Sequence, residues 1–264
     1  MSETIKVKDL ISKLQLLYPE DAAEEWDNPG LLVGHFDAEV NRIFVTLDVS
    51  DEALKEATAW NADLIISHHP LIFGSRKQIN DADLTGRRIL SLAEQRIACY
   101  AMHTNYDVCR MAELNASQLN LSDQEVLFET GEQNGIPAGI GRVGNLPEAM
   151  TLEDTARYVK ERMGIPEVIV YGDAGTEVRR AAVSGGSGRS VVGSAAAKKA
   201  QVLITGDMDY HTATDAVAGG MCVIDAGHYG TEYCFIRDVA EQLRKEVPFC
   251  EIREAAVRHP YYVI

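Results

Sequence analysis

Residues 42–102 alternate between short apolar runs and helix-like segments, and this alternation limits the folds open to the chain. Three strands are predicted, namely RIFVTLDVS (42–50), DLIIS (63–67) and IACYAM (97–102). Helices are predicted between them over 51–60 and 84–95, the first with Ser50 as its N-cap. The order strand, helix, strand, helix, strand is typical of a mainly parallel sheet with helices on its faces.

The second half of the chain shows a similar alternation. Four further strands are predicted, namely EVIVYG (167–172), RRAAVSGG (179–186), QVLITGD (201–207) and MCVIDAG (221–227). Thr151 predicts the start of a helix over 152–163, and Gly164 predicts its end. A long final helix is predicted over 231–247, followed by a closing strand, EIREAAV.

A polar, glycine-rich segment separates the two halves. Residues 120–150 contain only scattered short strand candidates, so this segment is predicted to be a boundary or crossover. The predicted fold class is α/β, with two α/β lobes whose mainly parallel or mixed sheets are flanked by helices. The first lobe is assigned to residues 1–125, completed by 233–264, and the second to 126–232.

Charge and composition exclude several classes of protein. A net charge of -15 over 264 residues would repel a phosphate backbone, so no nucleic-acid partner is expected. The opening MSETIKVKDL has no apolar region and no run is long enough to span a bilayer, so neither a signal peptide nor a membrane contact is expected. Five cysteines without a C-x-x-C pair indicate reduced thiols, and the cytoplasm is the expected location.

Two neighbouring histidines end the second predicted strand. His68 and His69 follow DLIIS directly, although successive side chains on a strand point to opposite faces. Pro70 disfavours helical geometry at His69 and removes a backbone donor, so the chain can turn there. Once the alternation is broken, both imidazoles can face one point.

Further candidate ligands follow two other strands. Asp107 comes after IACYAM, and His228 and Glu232 come after MCVID, four residues apart on one helix face. Ligands of open α/β sheets bind outside the carboxyl ends of the strands. Three imidazoles and two carboxylates, without cysteine, exceed the needs of one tetrahedral ion. We therefore expect two divalent cations (Zn, Mn, Fe or Co) that share a carboxylate in a cleft between the lobes.

Plain structural interpretations remain open for each motif. A histidine pair can be structural, HTNYD (103–107) contains common turn formers, and GHYGTE (227–232) can be a capped helix start. His103 is expected to form a local hydrogen bond. Trp26 and the NPG turn that follows it either line a pocket or pack in the core, and core packing is favoured.

Two more motifs each allow two interpretations. GDMDYH (206–211) carries Asp207, Asp209 and His211. Either it is a plain loop with Asp209 as N-cap, or it holds a residue that supports the metal ligands or faces the substrate, with His211 as proton donor or acceptor. In SGGSGRS (184–190), Gly186 and Gly188 either bind a substrate phosphate through their N–H groups or make a tight turn. The segment is not a P-loop, because no Lys-Ser/Thr follows the glycines.

Five motifs together resemble a known family. WDNPGLLVG, SHHPLIF, HTNYD, GDMDYH and DAGHYGTE occur here in the order found in the GTP cyclohydrolase I type 2 homologues, also called NIF-three-like or dinuclear-metal-centre proteins. The resemblance implies that the same five residues bind metal and that His211 lies near the metals. It implies the short form of the family, without an inserted middle domain, and a ring-shaped homohexamer. Tyr106 stands where many relatives have an aliphatic residue. This difference leaves the implied ligands intact and concerns only the shape of the local pocket.

Two functions remain open from the sequence. The first is a dinuclear-metal-dependent hydrolase that acts on a small-molecule substrate. The family name implies opening of the GTP ring, and a phosphoester hydrolase fits such a site equally well. The second is a metal-binding regulatory or protein-interaction protein without turnover.

Overall fold

The computed structural model describes residues 3–133 and 135–264, and the chain divides into two compact units. The first unit runs to Tyr106 and resumes over Cys234–Val257. The second unit consists of Asp107–Tyr233 and Arg258–Ile264.

The strands of the described residues are β1 (Ile5–Lys6), β2 (Gly30–Val33), β3 (Glu39–Val40), β4 (Arg42–Thr46), β5 (Leu64–Ser67), β6 (Ala98–Ala101), β7 (Ser122–Gln133), β8 (Ile136–Thr151), β9 (Ile169–Tyr171), β10 (Glu177–Ser187), β11 (Val202–Gly206), β12 (Cys222–Asp225) and β13 (Glu251–Glu254).

The helices are α1 (Val7–Gln15), α2 (Asp51–Ala59), α3 (Leu84–Gln95), α4 (Thr104–Tyr106), α5 (Ala112–Gln118), α6 (Leu152–Met163), α7 (Val192–Ala197), α8 (Tyr210–Ala218), α9 (His228–Glu232) and α10 (Cys234–Glu246). Short 3₁₀ turns lie at Glu20–Ala22 and Arg189–Val191, and Asp107–Met111 forms a π-helical turn.

The first unit is built on a five-stranded sheet in the order β13-β4-β5-β6-β2. Its first four strands are parallel, and β2 pairs antiparallel with β6. Phe44, Ile65 and Cys99 are fully buried in one core cluster of this sheet. Ala57 of α2 and Leu92 of α3 pack in the same cluster, so helices cover the continuous apolar strands.

The second unit is built on a six-stranded sheet in the order β7-β8-β10-β11-β12-β9. The three strands β10, β11 and β12 are parallel, and the other pairings are antiparallel. Along β10, Ala181 and Val183 belong to one core cluster and Ala182 to another. Val159 of α6 packs in the first cluster and Ala213 of α8 in the second, so both faces of the sheet are covered.

The structure confirms the predicted fold class and the predicted helix caps. The Ser50 hydroxyl accepts a hydrogen bond from the Ala53 N–H at 3.1 Å. The Thr151 hydroxyl accepts one from the Asp154 N–H at 3.1 Å, and Gly164 ends α6 with φ +66°. Within the described residues, no helix is both long enough and apolar enough to cross a membrane.

Three local predictions are wrong. Within 120–150 the described residues include two long antiparallel strands, β7 and β8, which the sequence hides because most β7 side chains are exposed and give no apolar run. The helix predicted over 231–247 is two helices, α9 and α10, separated at Tyr233. The helical spacing of Val7, Leu10, Ile11, Leu14 and Leu17 predicts a helix over 7–18, but α1 ends at Gln15, three residues earlier.

The division between the units also differs from the sequence boundary at residue 125. Helix α5 packs against β8 and β10, which places residues 107–125 with the second unit. The chain returns to the first unit through α10 and β13, and its last residues, Arg258–Ile264, belong to the second unit.

Candidate metal-binding residues

His68 and His69 lie immediately after β5, where the backbone turns. Both backbone N–H groups donate to the carbonyl oxygen of Leu47, at 3.2 and 3.0 Å, so the two residues no longer follow the ladder. The Ser67 hydroxyl donates to the His69 carbonyl at 3.0 Å and stabilises this turn. The two imidazole centroids are 5.1 Å apart. Adjacent side chains that a regular strand would separate therefore lie side by side.

Both imidazoles are oriented by an oxygen at Nδ1. The His68 Nδ1 lies 2.8 Å from the carbonyl oxygen of Met102, which can only accept a hydrogen bond. The His69 Nδ1 lies 2.7 Å from Asp48 Oδ1. In each case the proton is assigned to Nδ1, and Nε2 then carries the lone pair that a metal ion needs.

His103 is a third imidazole of the first unit, and its hydrogen bond is not the local one that the sequence predicts, because its partner lies 76 residues away in the chain. Its Nδ1 lies 2.7 Å from Asp27 Oδ1, and the Thr104 N–H donates to Asp27 Oδ2 at 3.0 Å. Burial by itself would raise the pKa of Asp27, but the hydrogen bonds from His103 and Thr104 outweigh it and lower the pKa to about 2.

The three histidines form one group. Ring nitrogens of His68, His69 and His103 all lie within 4.8 Å of one another. Such a group has the composition and spacing to hold a divalent metal ion. Trp26 and Phe73 border it, and Trp26 is 58% exposed, so the expectation that Trp26 packs in the core is wrong.

His228 and Glu232 of the second unit lie one turn apart on α9. The His228 Nδ1 lies 2.8 Å from Asp207 Oδ2, and its Nε2 lies 3.1 Å from Glu232 Oε2. Glu232 is only 3% exposed, so its carboxylate is held in a largely dry environment. Asp207 follows β11 with φ +49°, a left-handed geometry that Asp tolerates better than most residues.

Asp107 is the first residue of the π-helical turn, a local widening that is frequent at functional sites. Carboxylate oxygens of Asp107 and Glu232 lie within 4.8 Å of each other. Two carboxylates at this distance repel each other when both are ionised, and a nearby cation removes that cost. Tyr106, the residue before Asp107, is buried and donates to Asp238 Oδ2 at 2.7 Å.

Gly186 lies beside Glu232 and Gly188 beside Thr205, and the N–H groups of both glycines donate within the protein. The Gly186 N–H donates to the Thr231 hydroxyl at 3.0 Å, and the Gly188 N–H donates to the Gly206 carbonyl at 3.2 Å. Neither N–H is available to a phosphate while these bonds are intact. Gly186 instead provides space, because a Cβ there would lie 2.4 Å from Glu232 Oε1.

His211 lies in the first turn of α8 and is exposed, with its ring 5.3 Å from that of Tyr210. Asp209 is the N-cap of this helix, since its Oδ1 accepts from the Thr212 N–H at 3.0 Å. Hydrogen bonds from Thr212 lower the pKa of Asp209. The plain interpretation of Asp209 as a cap therefore holds, and the role of His211 stays a prediction.

One contact recurs at His68, His69, His103 and His228. Nδ1 faces an oxygen acceptor, which is a carboxylate in three cases and a carbonyl in the fourth; the acceptors are Met102, Asp48, Asp27 and Asp207. Sequence reasoning missed Met102, Asp48 and Asp27 and assigned His103 no place beside the pair, whereas Asp207 lies in GDMDYH, a motif that it did single out. Their positions carried a signal, because Asp48 and Asp207 each follow a strand end.

Two α/β units with imidazoles and carboxylates at their strand ends define an α/β protein that can hold metal ions. The chain belongs to the Duf34/NIF3 (NGG1p interacting factor 3) family, whose model matches residues 5–258. The family resemblance found in the sequence motifs is thereby confirmed.

Relatives match over nearly their whole length. The GTP cyclohydrolase 1 type 2 homolog of Clostridium perfringens is 31% identical over 95% of this chain and 97% of its own. The Lactococcus lactis protein of the same name is 35% identical over 98% and 100%. The crystal structure of a Bacillus cereus protein related to NIF3 matches with a TM-score of 0.94 and 26% identity, over 100% of both chains.

Proposed function

We propose that this protein is a divalent-metal-dependent hydrolase. In this proposal His68, His69, Asp107, His228 and Glu232 are the ligands of two divalent ions. The ligand set is nitrogen and oxygen only, which suits Zn, Mn, Fe or Co. Ions in such a set polarise the bond that is attacked and lower the pKa of water.

The observation that supports this proposal best is the shared orientation of the three ligand histidines. Each directs its Nδ1 to an oxygen 2.7–2.8 Å away. At His68 and His69 this contact assigns the lone pair to Nε2, whereas at His228 the Nε2 also faces a carboxylate, Glu232 Oε2 at 3.1 Å. Histidines that bind metal in proteins have this second contact almost without exception. A histidine pair kept only for packing would not need an acceptor at every Nδ1.

The carboxylates give separate support. Glu232 is buried, and an oxygen of Asp107 lies within 4.8 Å of one of its oxygens. Burying one carboxylate near another is costly without a compensating cation. Gly186 keeps the space around Glu232 clear, so the carboxylate can bind an ion without backbone movement.

The substrate class is a small molecule with a hydrolysable bond. The curated relatives are named GTP cyclohydrolase 1 type 2 homolog, which makes GTP the first substrate to test. Phosphoesters are the second class, because sites with two metal ions stabilise both the attacking and the leaving oxygen of such a displacement. His211 is proposed as a proton donor or acceptor for the substrate.

The test measures metal content and turnover together. GTP and a panel of phosphoesters are incubated with three samples: the purified protein, its chelated form, and the form reloaded with Mn or Zn. Metal per chain is measured in each sample by mass spectrometry. We expect turnover that is lost on chelation and restored by metal, and a loss of at least about 100-fold in Asp107→Asn and Glu232→Gln.

His35→Gln is the matched control, because His35 is an exposed histidine in the loop before β3. It should keep both metal and turnover. Full activity in a variant that has lost its metal would contradict the proposal.

The second candidate is a metal-binding regulatory protein without turnover. The family description, which names an interacting factor, is the observation that favours it. Stoichiometric metal with no product from any substrate, together with tight capture of a protein partner, would favour this candidate over the hydrolase.

Assembly and location complete the proposal. The family resemblance implies a homohexamer, and the reduced-thiol pattern of the cysteines suits the cytoplasm. Light scattering of the purified protein tests the first expectation, and fractionation of the cells that produce it tests the second.

A further inference from the structure

Two large aromatic side chains of the first unit are exposed next to each other. Trp26 is 58% exposed and Phe73 is 57% exposed, and their ring centroids are 5.7 Å apart at an interplanar angle of 43°. Single exposed aromatic residues are common on protein surfaces, but an exposed pair in contact forms an apolar patch that favours a ligand.

This aromatic pair, Trp26 and Phe73, borders the histidine group. The ring of His103 lies 6.0 Å from that of Trp26 and 6.3 Å from that of Phe73, both edge-on. The same imidazole lies 5.2 Å from the His68 ring and 5.6 Å from the His69 ring. A molecule that contacts the pair therefore lies beside the proposed metal ligands.

Hydrogen bonds hold the two aromatic segments together. Asp27, next to Trp26, is bonded to His103 and to the Thr104 N–H. The Asn28 side chain donates to the carbonyl of Ile72, the residue before Phe73, at 2.5 Å. The exposure of the two rings is thus a built feature of the fold and not a result of loose loops.

We propose that Trp26 and Phe73 form a stacking subsite for a planar aromatic or heteroaromatic ring carried by the substrate. The inference rests on the proposed function for the reaction itself and narrows its substrate class. Exposed aromatic rings bind planar rings by stacking, and this recognition does not need charge. Aliphatic phosphoesters would lack this contact.

Tryptophan fluorescence tests the inference directly, since the chain has two tryptophans. Trp60 is half-buried and lies 4.6 Å from the Arg253 guanidinium, away from the histidine group. The Trp60→Phe protein reports Trp26 alone, and the Trp26→Phe protein reports Trp60 alone. Each is titrated with guanosine 5′-monophosphate and with ribose 5-phosphate, which carries the same phosphate without a ring system.

We expect saturable quenching of Trp26 by guanosine 5′-monophosphate, little change with ribose 5-phosphate, and no response from Trp60. Phe73→Leu, made in the Trp60→Phe protein, should weaken the binding about tenfold, as loss of one stacking partner does. Phe36→Leu is the control, since Phe36 is also an exposed phenylalanine of the first unit, at 59%.

Three results would overturn the inference. The first is an equal response of Trp26 to guanosine 5′-monophosphate and to ribose 5-phosphate, and the second is the absence of saturable quenching. The third is Trp26 emission that changes only with protein concentration, which would mean that the pair contacts another copy of the chain. Metal content is measured in the same samples. Normal metal and turnover of aliphatic phosphoesters without ring binding would refute this subsite and leave the hydrolase proposal intact. Ring binding without turnover of any substrate would refute the hydrolase proposal and leave this subsite intact.

Discussion

At the scale of single residues, the contact at Nδ1 explains how the histidines are prepared for a ligand. Asp48 and Asp207 each bond one ring, and both are themselves more than half exposed. Their value to folding is small, because exposed ion pairs contribute little. Their effect should instead be on the orientation and basicity of His69 and His228.

Asp207→Ala should therefore lower metal affinity by about 10- to 100-fold while all five proposed ligands remain. Affinity is measured by competition with a fluorescent chelator. Asp209→Ala is the control, because Asp209 caps α8 and bonds no ring of the group. It should lower stability, because a helix cap is lost, and leave affinity unchanged. Equal affinity in the Asp207 variant would show that the contact has no role in binding.

The lowered pKa of Asp27 predicts how the stability of the fold depends on pH. Its pKa is lowered in the folded state from 3.8 to about 2, so it stabilises the fold above pH 4 and loses this effect as the pH falls toward 2. The contribution is about 2 kcal/mol. Urea unfolding in EDTA, from pH 5 to pH 2, should show a steeper loss for the natural protein than for Asp27→Asn. Parallel curves for the two proteins would contradict this assignment.

At the scale of elements, Gly186 connects β10 to the carboxylate on α9. Its φ of +62° and the 2.4 Å approach of a Cβ to Glu232 Oε1 both oppose a side chain. Gly186→Ala should cost about 1 kcal/mol of stability and displace Glu232, so that metal affinity falls at least tenfold. Calorimetry with and without metal measures both effects.

Gly193 is the matched control for this change. It lies within α7, and a Cβ there would meet nothing within 4 Å. Gly193→Ala should be neutral or stabilising by about 1 kcal/mol, because alanine favours helices. A normal metal affinity in Gly186→Ala would show that the space beside Glu232 is not needed.

Elements with a strong local signal could be predicted from the sequence. The helix at 84–95 matches α3 at both ends, and Ser50 and Thr151 cap where their spacing predicts. The β7–β8 strand pair could not be predicted, because its side chains are largely exposed and follow no apolar pattern. The break at Tyr233 was missed since apolar spacing continues across it.

The candidate site could be predicted only in part, because its ligands follow strand ends but the partners of its histidines do not all lie near them in sequence. Strand ends pointed to the histidines, but a partner such as Asp27 lies 76 residues from His103 in sequence, and only tertiary structure reveals such a pairing. The exposure of Trp26 was equally hidden, because aromatic residues are buried more often than not.

At the scale of the whole molecule, the chain is a member of the Duf34/NIF3 family with two α/β units. Each unit contributes its own imidazoles, and the second also contributes two carboxylates. The central claim is that five side chains from these units bind two divalent ions. Because ions that bind only the folded chain stabilise it, added metal should raise the unfolding temperature.

Anomalous X-ray diffraction from crystals grown with Mn or Zn tests that claim most directly. We predict two anomalous peaks per chain, at about 2.0–2.2 Å from the Nε2 atoms of His68, His69 and His228 and from oxygens of Asp107 and Glu232. Fully loaded protein whose peaks lie away from these five side chains, or that binds its ions through Nδ1, would contradict the account.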